Sequence, residues 1–128
     1  RGFMADIICL MYIFLDTAKA GDFAIDHDQL LNLAETFVSS LQNDLSSLED
    51  AMAAADVSAL KRLLHTLKGY VTFLCSDYLA NQLIHIESSA RELTAEQLQP
   101  HVHELLPALK NMHHEVIDWR DQLLPQQK

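Results

Sequence analysis

Apolar residues recur every three or four positions along four long segments of this chain, which is the spacing of one face of an α-helix. No stretch alternates apolar and polar residues for long enough to indicate a β-sheet. The segments cover about residues 26–56, 57–74, 77–93 and 94–123. The pattern predicts an all-α fold in which these helices form an up-and-down antiparallel four-helix bundle over about residues 26–124.

Composition and capping residues agree with this fold. Only 3 Gly and 3 Pro occur in 128 residues, so little interrupts the helical segments. Ser76 or Asp77 can cap the third helix, and Thr94 with Gln97 matches the capping box that starts a helix. The boundaries of the bundle helices therefore follow from local residue types.

A shorter apolar segment over about residues 6–20 precedes the bundle. Its helical spacing, with Asp6 as N-cap and Gly21 as a stop, predicts an additional short N-terminal helix. The longest apolar run, residues 7–15, is far shorter than the roughly 20 residues that cross a bilayer. Because this segment is apolar on nearly all sides, we expect it to cap the bundle or to contact a second copy. The chain is thus predicted to be one domain over residues 1–128, a monomer or a homodimer through this helix.

Charge and cysteine content exclude several function classes. The 9 Lys and Arg stand against 18 Asp and Glu, a net charge of −9, which disfavours nucleic acid and direct membrane contact. Cys9 and Cys75 form neither a metal-type pair nor a disulfide framework, which favours a reducing compartment and cytoplasmic localisation. No Gly-rich nucleotide loop is present. The remaining histidines lack metal-ligand spacing, so we expect no metal or cofactor of the protein's own: His27, His85, His101, His103, His113 and His114.

One histidine lies in a basic stripe on the second bundle helix. At about 100° per residue, the core face of that helix comprises Leu60, Leu63, Leu64, Leu67, Val71 and Leu74. Beside it, facing outward, lie Lys61, His65, Lys68, Gly69 and Thr72, with Arg62 just beyond. The imidazole of His65 is thus expected to face solvent among cations, where Lys68 can neutralise phosphoryl oxygens. A glycine in the middle of a helix, such as Gly69, destabilises the helix by about 1 kcal/mol relative to alanine. Room for another protein to approach the imidazole is a reason for a glycine at this position.

The string Leu64-His65-Thr66-Leu67-Lys68-Gly69 resembles the phosphohistidine motif of histidine-containing phosphotransfer (HPt) domains of bacterial phosphorelays, His-x-Leu-Lys-Gly. The similarity extends more weakly through the next helix, at Leu79, Leu83, Glu87 and Arg91. The family fold is a four-helix bundle with an extra short helix. This chain departs from the family pattern at Tyr70, where a small residue is usual, and at Cys75, near which a glycine is frequent.

The resemblance implies a phosphoryl carrier without autokinase or ATPase activity. His65 would accept a phosphoryl group from a receiver-domain aspartate and pass it to another receiver. The implied partners are response-regulator receiver domains and a sensor histidine kinase, which can belong to the same parent chain. The receiver would supply Mg²⁺, and membrane tethering would come only through a larger sensor kinase. The pattern leaves open whether the protein stands alone or ends a hybrid kinase.

A carboxylate opposite His65 is the candidate for orienting its ring. If the helices before and after Ser76 fold back antiparallel, residues whose numbers sum to 152 lie level, and His65 and Glu87 meet this condition. Glu87 would accept a proton from one ring nitrogen while the other attacks phosphorus. Alternatively, Glu87 is a surface carboxylate paired with Arg91 at i+4. Gly69, Lys61, Arg62 and Thr72 are assigned to partner docking.

A second function class remains open. A non-transferring helical interaction module would dock a receiver or another signalling protein without taking phosphate, and Tyr70 and the apolar N-terminal segment favour it. A third possibility is the dimerisation helix hairpin of a sensor kinase, which normally shows Glu after the histidine and a downstream Pro. This chain has Thr66 there, and no Pro before Pro100.

Overall fold

The computed structural model describes residues 12–24 and 26–124. Apart from one isolated β-bridge, the regular structure in these ranges is helical, and the predicted all-α fold is confirmed. A short 3₁₀ helix, Thr17–Asp22, precedes the bundle. The four long helices are α1 (His27–Ala53), α2 (Val57–Val71), α3 (Asp77–Ala90) and α4 (Ala95–Leu123). None of them has the length and hydropathy of a membrane span.

Each long helix begins at a polar side chain that accepts a hydrogen bond from an amide of its first turn. Asp26 caps α1, Asp56 caps α2 and Ser76 caps α3. The predicted capping box of α4 is present, with reciprocal bonds between Thr94 and Gln97. Local residue types therefore fix where the helices start, including the helix that carries His65.

The helices close into a ring around one hydrophobic cluster. α1 packs against α2 and α4, and α3 packs against the same two helices. The connections, residues 54–56, 72–76 and 91–94, are short, which places consecutive helices side by side and antiparallel. The core is built mainly from fully buried leucines: Leu41, Leu48, Leu60, Leu64, Leu67, Leu74, Leu79, Leu83, Leu98 and Leu109. The predicted core face of α2 is thus buried and its polar face points outward.

The N-terminal segment differs from the predicted helix over about residues 6–20. Residues 6–11 lie outside the described ranges, but residues 12–16 are not helical: residues 13 and 14 form a bend and Leu15 a β-bridge. The helical turn comes later, with Gly21 inside it. Leu15 forms an antiparallel bridge with Cys75. The prediction of a helix was therefore wrong over residues 12–16, because hydrogen-bond partners from distant parts of the chain replace those of a local helix. Self-association through this segment stays a prediction.

Those partners are one carboxylate of α4 and the connection between α2 and α3. The Glu115 carboxylate accepts three backbone amides, those of residues 13, 14 and 15, at 2.8–2.9 Å. The amide of Asp16 donates to the carbonyl of Leu74 at 2.7 Å, and the amide of Ser76 donates to the carbonyl of Phe14 at 2.7 Å. The N-terminal arm, residues 12–16, is thereby fixed across the end of the helix that carries His65.

Candidate functional site

His65 lies in the middle of α2 on the side opposite the leucine stripe. Its side chain is 72% exposed, whereas the neighbouring Leu64 and Leu67 are completely buried. The imidazole Nδ1 lies 3.2 Å from Oε2 of Glu87. In the described part of the chain no hydrogen bond reaches Nε2, so this is the ring nitrogen that an approaching molecule can meet.

Glu87 is a buried charge at the centre of the site. Its side chain is 8% exposed, and its two oxygens divide their contacts. Oε2 faces His65, whereas Oε1 accepts a hydrogen bond from Nζ of Lys68 at 3.2 Å and lies 3.8 Å from the guanidinium of Arg91. The level pairing expected for antiparallel helices is observed, and the i+4 pairing with Arg91 is present as well. Arg91 belongs to this cluster although the sequence indicates it only as a surface partner of Glu87.

The pKa of the Glu87 carboxyl lies below its ordinary value. Burial alone raises this pKa, because it disfavours the charged form. Hydrogen bonds from His65 and Lys68 and the charges of Lys68 and Arg91 lower the pKa by more. Glu87 is therefore ionised at neutral pH. Because a carboxylate only accepts hydrogen bonds, Nδ1 of His65 must carry the proton in this contact.

Replacing Glu87 by glutamine is expected to remove a pH-dependent part of the stability. Folding lowers the pKa of Glu87, so its charge stabilises the fold above the unfolded-state pKa, about 4.3, and this contribution is lost as the pH falls through the folded-state pKa. The wild type should therefore exceed Glu87→Gln in free energy of unfolding at about pH 6, and the difference should shrink toward about pH 3. Urea titrations at several pH values measure this, and a difference independent of pH would contradict it.

Three further predicted site residues surround this centre. Lys61 donates from Nζ to the carbonyl of Arg91 at 3.3 Å, which connects α2 to the end of α3. Thr72 donates its hydroxyl to the carbonyl of Lys68 at 2.7 Å, so that hydroxyl is used within its own helix. Arg62 is exposed one turn before Thr66. The docking role of these residues stays a prediction.

Gly69 lies exposed one turn after His65. A Cβ atom added to Gly69 would meet nothing within 4 Å. Packing against the described residues therefore does not require a glycine, although glycine weakens a helix by about 1 kcal/mol relative to alanine. A surface that another molecule approaches closely is a physical reason for glycine at this position.

Tyr70 and Cys75, the two residues at which the sequence departs from the phosphohistidine motif, both pack against other parts of the chain. The Tyr70 hydroxyl donates to Asp44 of α1 at 2.8 Å, and its ring meets Phe37 edge-on with centroids 5.4 Å apart. Burial and the hydrogen bond to Asp44 raise the pKa of Tyr70. Cys75 is completely buried beside Leu15, and burial raises the pKa of its thiol to about 11. Neither side chain belongs to the outer face of α2 around His65.

Two histidines outside the site contact backbone carbonyls. Nε2 of His27 contacts the carbonyl of Leu123, and Nε2 of His113 lies 3.2 Å from the carbonyl of Val38. Within residues 12–24 and 26–124, no three His, Cys, Asp or Glu side chains are grouped in a way that could hold a metal ion.

Comparison with known proteins adds one finding. A protein-family model described as the Hpt domain matches residues 32–119. The matched range includes all of α2 and α3, and with them His65, Lys68 and Glu87. Searches for similar curated proteins and for similar solved structures gave no significant match.

Proposed function

This chain belongs to the Hpt domain family, and we propose that it carries a phosphoryl group on His65 between two receiver domains. Hpt domains are phosphocarrier modules of two-component phosphorelays that interact with receiver domains and kinases. The observation that carries the proposal for this chain is the exposed imidazole of His65, with Nδ1 at 3.2 Å from the buried Glu87 carboxylate and Nε2 directed to no group of the described chain.

In the proposed transfer, Nε2 of His65 attacks the phosphorus of an aspartyl phosphate. The new N–P bond forms as the P–O bond to aspartate breaks, and the aspartate leaves as a carboxylate. The proton on Nδ1 stays in place, so the ring becomes a phosphorylated imidazolium whose positive charge faces the Glu87 carboxylate. Glu87 thus acts as a positioning residue that holds one tautomer and stabilises the charge formed on transfer.

Lys68 is the proposed counter-charge for the phosphoryl oxygens. Its Nζ is held at 3.2 Å by Glu87, on the same carboxylate that holds the imidazole, so the ammonium is fixed close to His65 before any partner arrives. An ammonium placed in advance lowers the cost of the charge on the transferring group. Mg²⁺ and the acidic phosphate pocket are assigned to the receiver. Phosphate would leave by the reverse step onto a second receiver aspartate.

Labelled phosphate tests the proposal directly. A panel of receiver domains carrying radioactive aspartyl phosphate is mixed with the protein, and the product is tested for lability in acid and stability in base. We expect rapid labelling by at least one receiver, with the modification mapped to His65. Binding of receivers without labelling, across the whole panel, would overturn the proposal and favour the interaction module that transfers nothing.

Gly69→Ala is expected to change stability and transfer in opposite directions. Alanine should stabilise α2 by up to about 1 kcal/mol, since no residue among 12–24 and 26–124 opposes a Cβ atom there. The added methyl would face the receiver one turn from His65, so transfer should slow severalfold. Urea titration and single-turnover transfer measure the two effects. Gly21→Ala, also without neighbours to its Cβ, is the matched control and should leave transfer unchanged; an unchanged rate for Gly69→Ala would contradict the expectation.

A further inference from the structure

Large apolar side chains remain exposed where α2 ends. Phe73 follows α2 and Phe23 follows the 3₁₀ helix, and their rings contact each other with centroids 5.1 Å apart. Each of the two is 52% exposed even so. The two phenylalanines therefore form an aromatic pair that the chain only half covers. Exposed apolar groups of this size indicate a contact surface when they lie beside a functional site.

Phe73 of the aromatic pair lies just beyond the end of α2, the helix that carries His65. Phe73 comes eight residues after His65 and two after Val71, where α2 ends; in helical register eight residues correspond to about 12 Å along the axis and about 80° around it. On α3, Ile84 precedes Glu87 by one turn and lies level with Lys68, and it is 48% exposed. Exposed apolar groups thus lie just past the end of α2 and on α3, the two helices that build the site.

Charge identifies the kind of partner that fits this face. Four cations surround His65, although the whole chain has a net charge of −9: Lys61, Arg62, Lys68 and Arg91. A basic centre with an apolar margin complements a protein surface that has an acidic centre and apolar surroundings. The aspartate pocket of a receiver domain has that centre.

We propose that the aromatic pair Phe23–Phe73 and Ile84 form the apolar margin of the surface on which the receiver domain docks. The inference rests on the proposed function, because it assumes that the partner which reaches His65 is a receiver. The polar contacts of the His65 imidazole and the Glu87 carboxylate involve none of these three side chains. They would therefore strengthen the encounter complex and leave the chemical step unchanged.

Serine substitutions separate docking from chemistry. Phe73→Ser and Ile84→Ser change one side each of the margin, and a double variant removes both. For transfer from the receiver that labels the wild type fastest, we expect KM to rise about tenfold for Phe73→Ser and more for the double variant, with kcat changed less than twofold. Phe73→Leu, which keeps an apolar group, should recover part of the loss.

Tyr78→Ser is the matched control. Tyr78 is an exposed aromatic residue on α3, but it lies nine residues from Glu87 and so on roughly the opposite side of the helix. This variant should keep the KM of the wild type. Thermal unfolding of every variant shows whether the bundle is intact, and because Ile84 and Phe73 lie on different elements, a folding defect in one leaves the other as an independent test.

A second phosphodonor distinguishes this inference from the proposed function. Phosphoramidate is a small molecule that phosphorylates imidazole with release of ammonia, so it labels His65 without a docking surface. All variants should take this label at the rate of the wild type. Normal phosphoramidate labelling together with an unchanged KM for the receiver would overturn the docking surface and leave the carrier function standing. Failure of every receiver to label the wild type would overturn both.

Discussion

His65→Gln is expected to lose all labelling by phosphorylated receivers while the bundle stays folded. The amide of glutamine keeps polarity and approximate size, but it offers no nucleophilic nitrogen that can form the N–P bond. The side chain is 72% exposed, so its replacement removes little packing, and the leucines on the other side of α2 stay in place. Single-turnover transfer from the receiver that labels the wild type fastest measures the loss, and thermal unfolding verifies the fold.

His85→Gln is the matched control for this experiment. His85 is an exposed histidine on α3, and it lies two residues before Glu87 on a different side of that helix. We expect His85→Gln to take label at the wild-type rate. Acid-labile phosphate on His65→Gln would place the acceptor on another histidine and remove the basis for the roles given to Lys68 and Glu87.

The parts of the fold that the sequence predicts are those that depend on neighbours along the chain. The leucine stripe of α2 determines which face is buried, and this alone directs His65 outward. Thr94 and Gln97 start α4 by bonds within one turn. The prediction that Glu87 lies beside His65 also requires that the chain reverses near Ser76, and the short connection between α2 and α3 supports an antiparallel arrangement. Helix periodicity and one turn are therefore enough to bring together the two residues of the 3.2 Å contact.

Contacts between distant segments lie beyond this kind of reasoning. The apolar residues of the N-terminal segment fit a helical wheel, yet residues 12–16 are not helical. Glu115, about a hundred positions away in sequence, supplies the acceptors for three of their amides. Tyr70 is a similar case, since its partner Asp44 lies on α1. The sequence shows that Tyr70 departs from the family pattern, but only the packed helices show that it turns toward α1.

The carboxylate of Glu115 binds the N-terminal arm. Three consecutive backbone amides donate to its carboxylate, two to Oε1 and one to Oε2. Hydrogen bonds to a charged acceptor are stronger than those between neutral groups. An amide left without an acceptor in a partly buried place destabilises the folded state. The arm in turn covers Cys75 and holds the connection between α2 and α3 through Leu74 and Ser76.

Glu115→Ala is therefore expected to lower the free energy of unfolding by about 2 to 3 kcal/mol, the size of the lost charge-assisted hydrogen bonds. The amides of residues 13–15 should lose their protection against hydrogen exchange, and the thiol of Cys75, which Leu15 no longer covers, should react faster with a thiol reagent. Urea titration, exchange measured by NMR and the kinetics of thiol modification test the three effects separately.

Two variants calibrate this expectation. Glu115→Gln keeps one carbonyl oxygen for two of the amides but has no charge, so its loss of stability should fall between those of the wild type and Glu115→Ala. Glu104→Ala makes the same truncation at an exposed position of α4, and it should change stability by less than about 0.5 kcal/mol. If Glu115→Ala proved as stable as Glu104→Ala, with residues 13–15 still protected, the arm would be held by the burial of Leu15 and its backbone pairing with residues 74–76, and the carboxylate would contribute little.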